Sequence, residues 1–156
     1  MSNDTSEHTG HPFDTLTPDA VIDAVESTGR TSDLRIFPLN SYENRVYQVM
    51  LDDGPPVVAK FYRPGRWSDG QIGEEHAFVR SLADAEVPSV PPREIDGRTL
   101  HVHAGFRFAV YDKCGGRPPE LDRDEVLEWL GRFLGRLHSV GANGRFAVRP
   151  ALDVET

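Results

Sequence analysis

The chain has a single cysteine, Cys114, so no disulfide can close within it and its fold must rest on packing. It has no apolar run approaching the roughly 20 residues that a membrane-spanning helix needs. From its first residues we expect no secretory leader. Together these absences lead us to expect a reducing, cytoplasmic setting. Positive charge is also scarce. Against 25 Asp and Glu there are 17 Lys and Arg, a net charge of −8 whose field repels nucleic acid and anionic membranes alike. What is present is a globular composition: 156 residues, 38% apolar and 27% charged, enough for one domain with a real core.

The stretch that organises the chain is LNSYENRVYQVMLDDGPPVVAKFYRP, residues 39–64. It reads as a polar loop, a strand from Arg45 to Leu51, a turn at Asp52-Asp53-Gly54 and a second strand from Val57 to Tyr62. Lys60 sits alone in that second apolar strand. A buried ammonium needs an anionic partner; on an edge strand it would instead snorkel into water. The loop Asn40-Ser41-Tyr42-Glu43-Asn44 contains no glycine and so no G-x-G-x-x-G. Its amides and its Ser and Asn side chains can still face a phosphate, and the plainer reading is a polar turn.

The remaining elements can be taken in order. Residues 1–12 read as a disordered polar tail, in which His8 and His11 make a poor metal site. Thr17-Pro18-Asp19 opens a first helix that ends at Gly29, and Leu34, Ile36 and Leu39 alternate as a first strand. Ser68 to Gln71 has capping-box spacing, predicting a helix to about Ala85. Its apolar arc of Ile72, His76, Val79, Leu82 and Ala83 includes Glu75 and leaves Glu74 toward water. Glu75 is therefore the expected partner of Lys60; the alternative is a solvated carboxylate at the edge of the stripe. Asp96-Gly97 signals a second hairpin between Arg93–Ile95 and Thr99–Val102. His101 and His103 share a strand face, with no third metal ligand nearby. Phe106 to Tyr111 is a fifth strand, ended by Asp112-Lys113-Cys114-Gly115-Gly116. Asp122 to about Val140 is a strongly amphipathic helix, and Gly131 and Gly135 on its other side suggest a second packed surface.

A strand-loop-strand unit with Val-Ala-Lys, followed by a helix carrying a well-placed glutamate, is the plan of a kinase amino-terminal lobe. The segments LNSYENRVY at 39–47, KFYRP at 60–64, Arg66-Trp67, Glu74-Glu75-His76, Glu86-Val87-Pro88 and G-R-x-L-G-R-x-H at 131–138 resemble bacterial stress-response kinases. These belong to the aminoglycoside phosphotransferase and choline kinase group. The resemblance implies an α+β fold: an antiparallel sheet of about five strands plus helices, followed by the first helix of a carboxy-terminal lobe. The implied division is a kinase-like lobe at 13–111, a hinge at 112–121 and an incomplete second lobe at 122–156. It implies ATP-dependent phosphorylation of protein serine or threonine. Lys60 would hold phosphates and Glu75 would hold Lys60. The loop residues Asn40, Ser41, Tyr42, Glu43 and Asn44 would cover the nucleotide, and Tyr111, Asp112 and Cys114 would border the adenine.

One departure is large. The group's His-Gly-Asp catalytic loop and its Mg2+ ligands are not here: none of the six histidines has an aspartate two residues on. We therefore expect no metal ligands and no general base in this chain, no phosphotransfer by it alone, and self-association through its last helix. Protein substrate would bind through the second lobe. Two alternatives stay open: part of a small-molecule phosphotransferase of the aminoglycoside or choline type, and a non-catalytic binding module.

Overall fold

The computed structural model describes residues 11–151; residues 1–10 of the expected 1–12 tail, with His8, lie outside them, as do residues 152–156 of the expected second-lobe segment. Eight elements follow in order: α1 (Pro18–Glu26), β1 (Ser32–Leu39), β2 (Arg45–Leu51), β3 (Val57–Phe61), α2 (Asp69–Asp84), β4 (His101–His103), β5 (Phe106–Asp112) and α3 (Asp124–Gly141). The strands form one antiparallel sheet in the order β1-β2-β3-β5-β4. β3 is thus central, and Lys60 does not snorkel from an edge.

Period-two alternation decides what each face of the sheet does. Val57, Ala59 and Phe61 of β3 are fully buried on one face with Val49, Phe108 and Val110. α1 closes that face with Val21, Ala24 and Val25, and Phe13 and Leu16 pack beside it. Each such Val, Leu or Phe side chain contributes about 1.5–3 kcal/mol of burial, so this layer is the mechanical base of the lobe. Val58 and Lys60 point to the other face, where Ile72 of α2 packs against Tyr62 and Ala109.

Local signals set the helix starts. The Thr17 side chain accepts from the Ala20 amide at the head of α1, and Ser68 and Gln71 make both bonds of the capping box that opens α2. α3 begins after Arg123, without a side-chain cap, rather than at Asp122. The Asp96-Gly97 hairpin forms only in part. The turn exists, with Ile95 bridged to Arg98, but its flanks do not pair as strands. β4 pairs instead with β5 across Ala104-Gly105, both at positive φ (47° and 80°). An alanine in a left-handed turn position is a weak signal, which is why the pairing was not legible.

α3 buries none of its residues, and a Cβ at Gly131 or Gly135 would meet nothing within 4 Å. Leu127, Trp129 and Leu134 of its apolar stripe are about half exposed (49%, 55% and 49%). The helix is held at its end: Arg136 donates to the carbonyls of Ala85 and Glu86, Gly141 rests on the Phe78 ring, and Phe146 meets Phe78 edge-on. No helix among the described residues is long and apolar enough to cross a membrane.

Candidate functional site

Lys60 Nζ donates to Glu75 Oε1 at 2.6 Å, the pair expected from the helix arc. Register explains how they meet. Lys60 is opposite Val46 on β2 and Ala109 on β5, so its side chain leaves the sheet toward α2. Glu75 sits one residue before the buried His76, at the margin of the α2 stripe that faces the sheet. The two side chains keep 23% and 25% exposure, so the pair is half-sheltered, open to a ligand yet shielded from free hydration. The ammonium also lies 4.6 Å from the centre of the Tyr62 ring, a cation–π contact.

The pair lines a cavity of about 380 Å3, within the range of small-molecule sites. Leu39, Val46, Val58 and Tyr111 supply apolar walls, and Asp112, Lys113 and Cys114 border it after β5. Such a cavity sets apolar walls beside two lysines, Lys60 and Lys113, a chemistry that suits an apolar ring carrying an anion. The structure therefore brings Lys60, Glu75, Tyr111, Asp112 and Cys114 together. The loop residues Asn40 to Asn44 do not line this cavity. They cross from β1 to β2 at its edge, with Tyr42 fully exposed. Ser41 Oγ donates to the Asn44 carbonyl at 2.7 Å, and Asn44 Oδ1 accepts from the Arg63 amide, so the loop is internally braced. Glu43 is engaged elsewhere: its carboxylate accepts from Arg66 Nε at 2.5 Å and Trp67 Nε1 at 3.3 Å. Desolvation opposes ionisation there, but these bonds together hold its carboxyl below the usual carboxylate range. Asp112 is paired with Arg93, and Cys114 is an exposed free thiol. A larger hollow of about 680 Å3 between α2 and the end of α3 is walled by Phe78, Val140 and Phe146, and neither Lys60 nor Glu75 lines it.

One expectation is corrected. Glu74 does not face water: its carboxylate accepts the backbone N–H groups of Ala147, Val148 and Arg149. Partial desolvation works against the charge, yet these bonds outweigh it and hold the Glu74 carboxyl below its ordinary value. The helix arc described α2 and the sheet but could not foresee a segment returning from 74 residues away.

Sequence reasoning also missed Arg149 and the polar chain beneath the pair. Arg149 Nη2 reaches Glu75 Oε2 at 3.0 Å, and its guanidinium stacks 4.6 Å from the Trp67 ring centre. Under the pair, Tyr62 Oη lies 2.7 Å from His76 Nε2 and 3.2 Å from Tyr111 Oη, while His76 Nδ1 lies 2.8 Å from Thr99 Oγ1. Burial pushes His76 down to about 4, so the ring is neutral near pH 7 and one nitrogen donates while the other accepts. Burial likewise raises Tyr62, and Tyr111 to about 12. This chain links the cavity wall on β5 to the buried face of α2. Among the described residues no group of His, Cys, Asp and Glu could hold a metal ion.

A five-stranded antiparallel sheet, a central-strand lysine and a helix glutamate paired with it define a kinase-like amino-terminal lobe. A family model described as the phosphotransferase enzyme family matches residues 35–156, and the chain belongs to that family. It is 46% identical over 142 residues to stress response kinase A of Escherichia coli strain K12, covering 91% of this chain and 43% of that protein. The serine/threonine protein kinase RdoA of Salmonella typhimurium strain LT2 matches with the same identity and coverage. The chain thus spans less than half the length of these curated relatives. Among solved structures, amicoumacin kinase hAmiN in complex with AMP-PNP, Ca2+ and Ami superposes with a TM-score of 0.66 at 21% identity, over 83% of this chain and 42% of that one.

Proposed function

We propose that this chain is the nucleotide-binding part of an ATP-dependent serine/threonine protein kinase. The observation that carries the reading is the Lys60–Glu75 pair at 2.6 Å on the wall of an apolar-sided cavity. In this reading Lys60 contacts ATP phosphates, Glu75 holds Lys60, and Leu39, Val46, Val58 and Tyr111 enclose the base. The segment from Asp112 to Cys114 offers its backbone to the adenine edge. The Asn40–Asn44 loop covers the phosphates with its amides, Ser41 and Asn44 bracing it and Glu43 tethering it to Arg66 and Trp67. Mg2+ would be held by residues outside this chain, as would the protein substrate. The name of one relative at 46% identity, the serine/threonine protein kinase RdoA, favours a protein acceptor. The small-molecule alternative leans on a neighbour only 21% identical, whose likeness is one of fold.

Calorimetric titration with AMP-PNP tests the reading. Saturable binding is expected for the chain and a loss of at least tenfold for Lys60→Met, the scale of one strong charge-assisted contact. Equal binding by both would move the site elsewhere. The chain by itself is expected to transfer no phosphate: labelled ATP and myelin basic protein should give no signal above a no-protein control.

A further inference from the structure

Glu75 has two oxygens, and the structure uses both. Oε1 faces Lys60 at 2.6 Å; Oε2 faces Arg149 at 3.0 Å. A glutamate bonded through one oxygen can still swing about its last torsions. One bonded through both has its carboxylate plane fixed. The planar guanidinium suits this role because its donors are rigidly oriented and its charge is permanent.

Arg149 is itself held on several sides. Trp67 stacks on the guanidinium at 4.6 Å. The backbone that carries it is clamped by Glu74, which accepts from the amides of Ala147, Val148 and Arg149. Gln71 Nε2 donates to the Val148 carbonyl at 3.0 Å, and the Val148 side chain packs over Gly70. Adjacent glutamates on α2 thus do different work. Glu74 fastens the returning strap, and Glu75 receives the arginine the strap delivers. Trp67 also donates to Glu43, which connects the strap to the loop at the cavity's edge.

We infer that Arg149 is a positioning residue for the Lys60–Glu75 pair, delivered by the 147–149 strap and fixing the carboxylate that orients the lysine. Arg149 is not itself a lining residue of the nucleotide cavity and acts through Glu75, which is. Its consequence for ligand binding rests on the nucleotide reading above; the positioning itself does not.

Lysine-selective 15N NMR tests it, because Lys60 and Lys113 are the chain's lysines and Lys113 serves as the internal reference. In the unaltered chain Lys60 should give a slowly exchanging Nζ signal. In Arg149→Gln that signal should shift and exchange faster while Lys113 stays in place. AMP-PNP affinity should fall about threefold to tenfold, as for residues that act through a neighbour. A merely structural role would leave the Lys60 signal unmoved in a folded variant, and that result overturns the inference. Unchanged affinity for AMP-PNP in a variant whose parent binds it also overturns its functional half. Failure of the parent chain to bind AMP-PNP sinks the nucleotide reading alone, since the Lys60 signal still decides the positioning. Should Arg149→Gln fail to fold by far-ultraviolet circular dichroism, Glu74→Ala takes its place. Cutting the strap's anchor should move the Lys60 signal in the same direction, and an unmoved signal there counts against the inference.

Discussion

Replacing either partner of the Lys60–Glu75 pair should not cost the same. Lys60→Met removes one bond to Glu75 and one cation–π contact, but leaves the carboxylate held by Arg149. Glu75→Gln leaves two cations, Lys60 and Arg149, facing an uncharged amide. Exposed pairs are worth about 0.2–1 kcal/mol, and breaking a buried pair costs about 3–5 kcal/mol. With side-chain exposures of 23–25%, this site falls between those limits. We expect about 1 kcal/mol for Lys60→Met and about 2 kcal/mol for Glu75→Gln, where two charges lose their partner. At this chain length 1 kcal/mol moves Tm by about 2–4 °C. Thermal unfolding followed by circular dichroism should therefore show a fall of about 2–4 °C for Lys60→Met and about 4–8 °C for Glu75→Gln. A Lys60→Met variant destabilised as much as Glu75→Gln would refute the reasoning, because it would mean that Arg149 does not share the carboxylate.

Three further outcomes follow from the same geometry. His76 is buried and its folded-state pKa lies near 4, below the ordinary 6.5, so the unfolded chain binds the proton first. Stability should fall as pH drops from about 6.5 toward 4, by up to about 3 kcal/mol, and urea melts of His76→Gln should show a shallower slope over that window. Glu74→Ala should speed hydrogen exchange at the amides of Ala147, Val148 and Arg149 while leaving those of β3 protected; equal exchange would mean the clamp contributes nothing. The exposed Leu127, Trp129 and Leu134 should make the chain associate, so light scattering should show a mass that rises with concentration, and substituting Trp129 and Leu134 with polar residues should restore a constant monomer mass.

The elements that build the pair were legible because their signals are local. Alternation put Val57, Ala59 and Phe61 on one face of β3 and Lys60 on the other, and the Ser68–Gln71 box fixed the phase of α2, which made Glu75 and not Glu74 the lysine's partner. Where the reading failed, the cause was distance along the chain or weak turn chemistry. Glu74 appeared solvated because its partners lie in a stretch without periodicity, and Arg149 carried no signal of its own there. His76 read as one more stripe residue, although an imidazole on a buried face needs partners, and Tyr62 and Thr99 supply them. The β4–β5 hairpin turns at Ala104-Gly105, where the sequence offers one glycine, while the stronger Asp96-Gly97 signal closes only an isolated turn.

The central claim is that Lys60 faces the phosphates of a bound nucleotide. A lysine-reactive acyl phosphate of ATP tests it directly, because Lys60 and Lys113 both line the cavity and are the chain's lysines. The account predicts acylation of Lys60, found by mass spectrometry of its peptide and suppressed by excess ATP, with Lys113 modified far less. Labelling confined to Lys113, or labelling of Lys60 that excess ATP does not suppress, would contradict it.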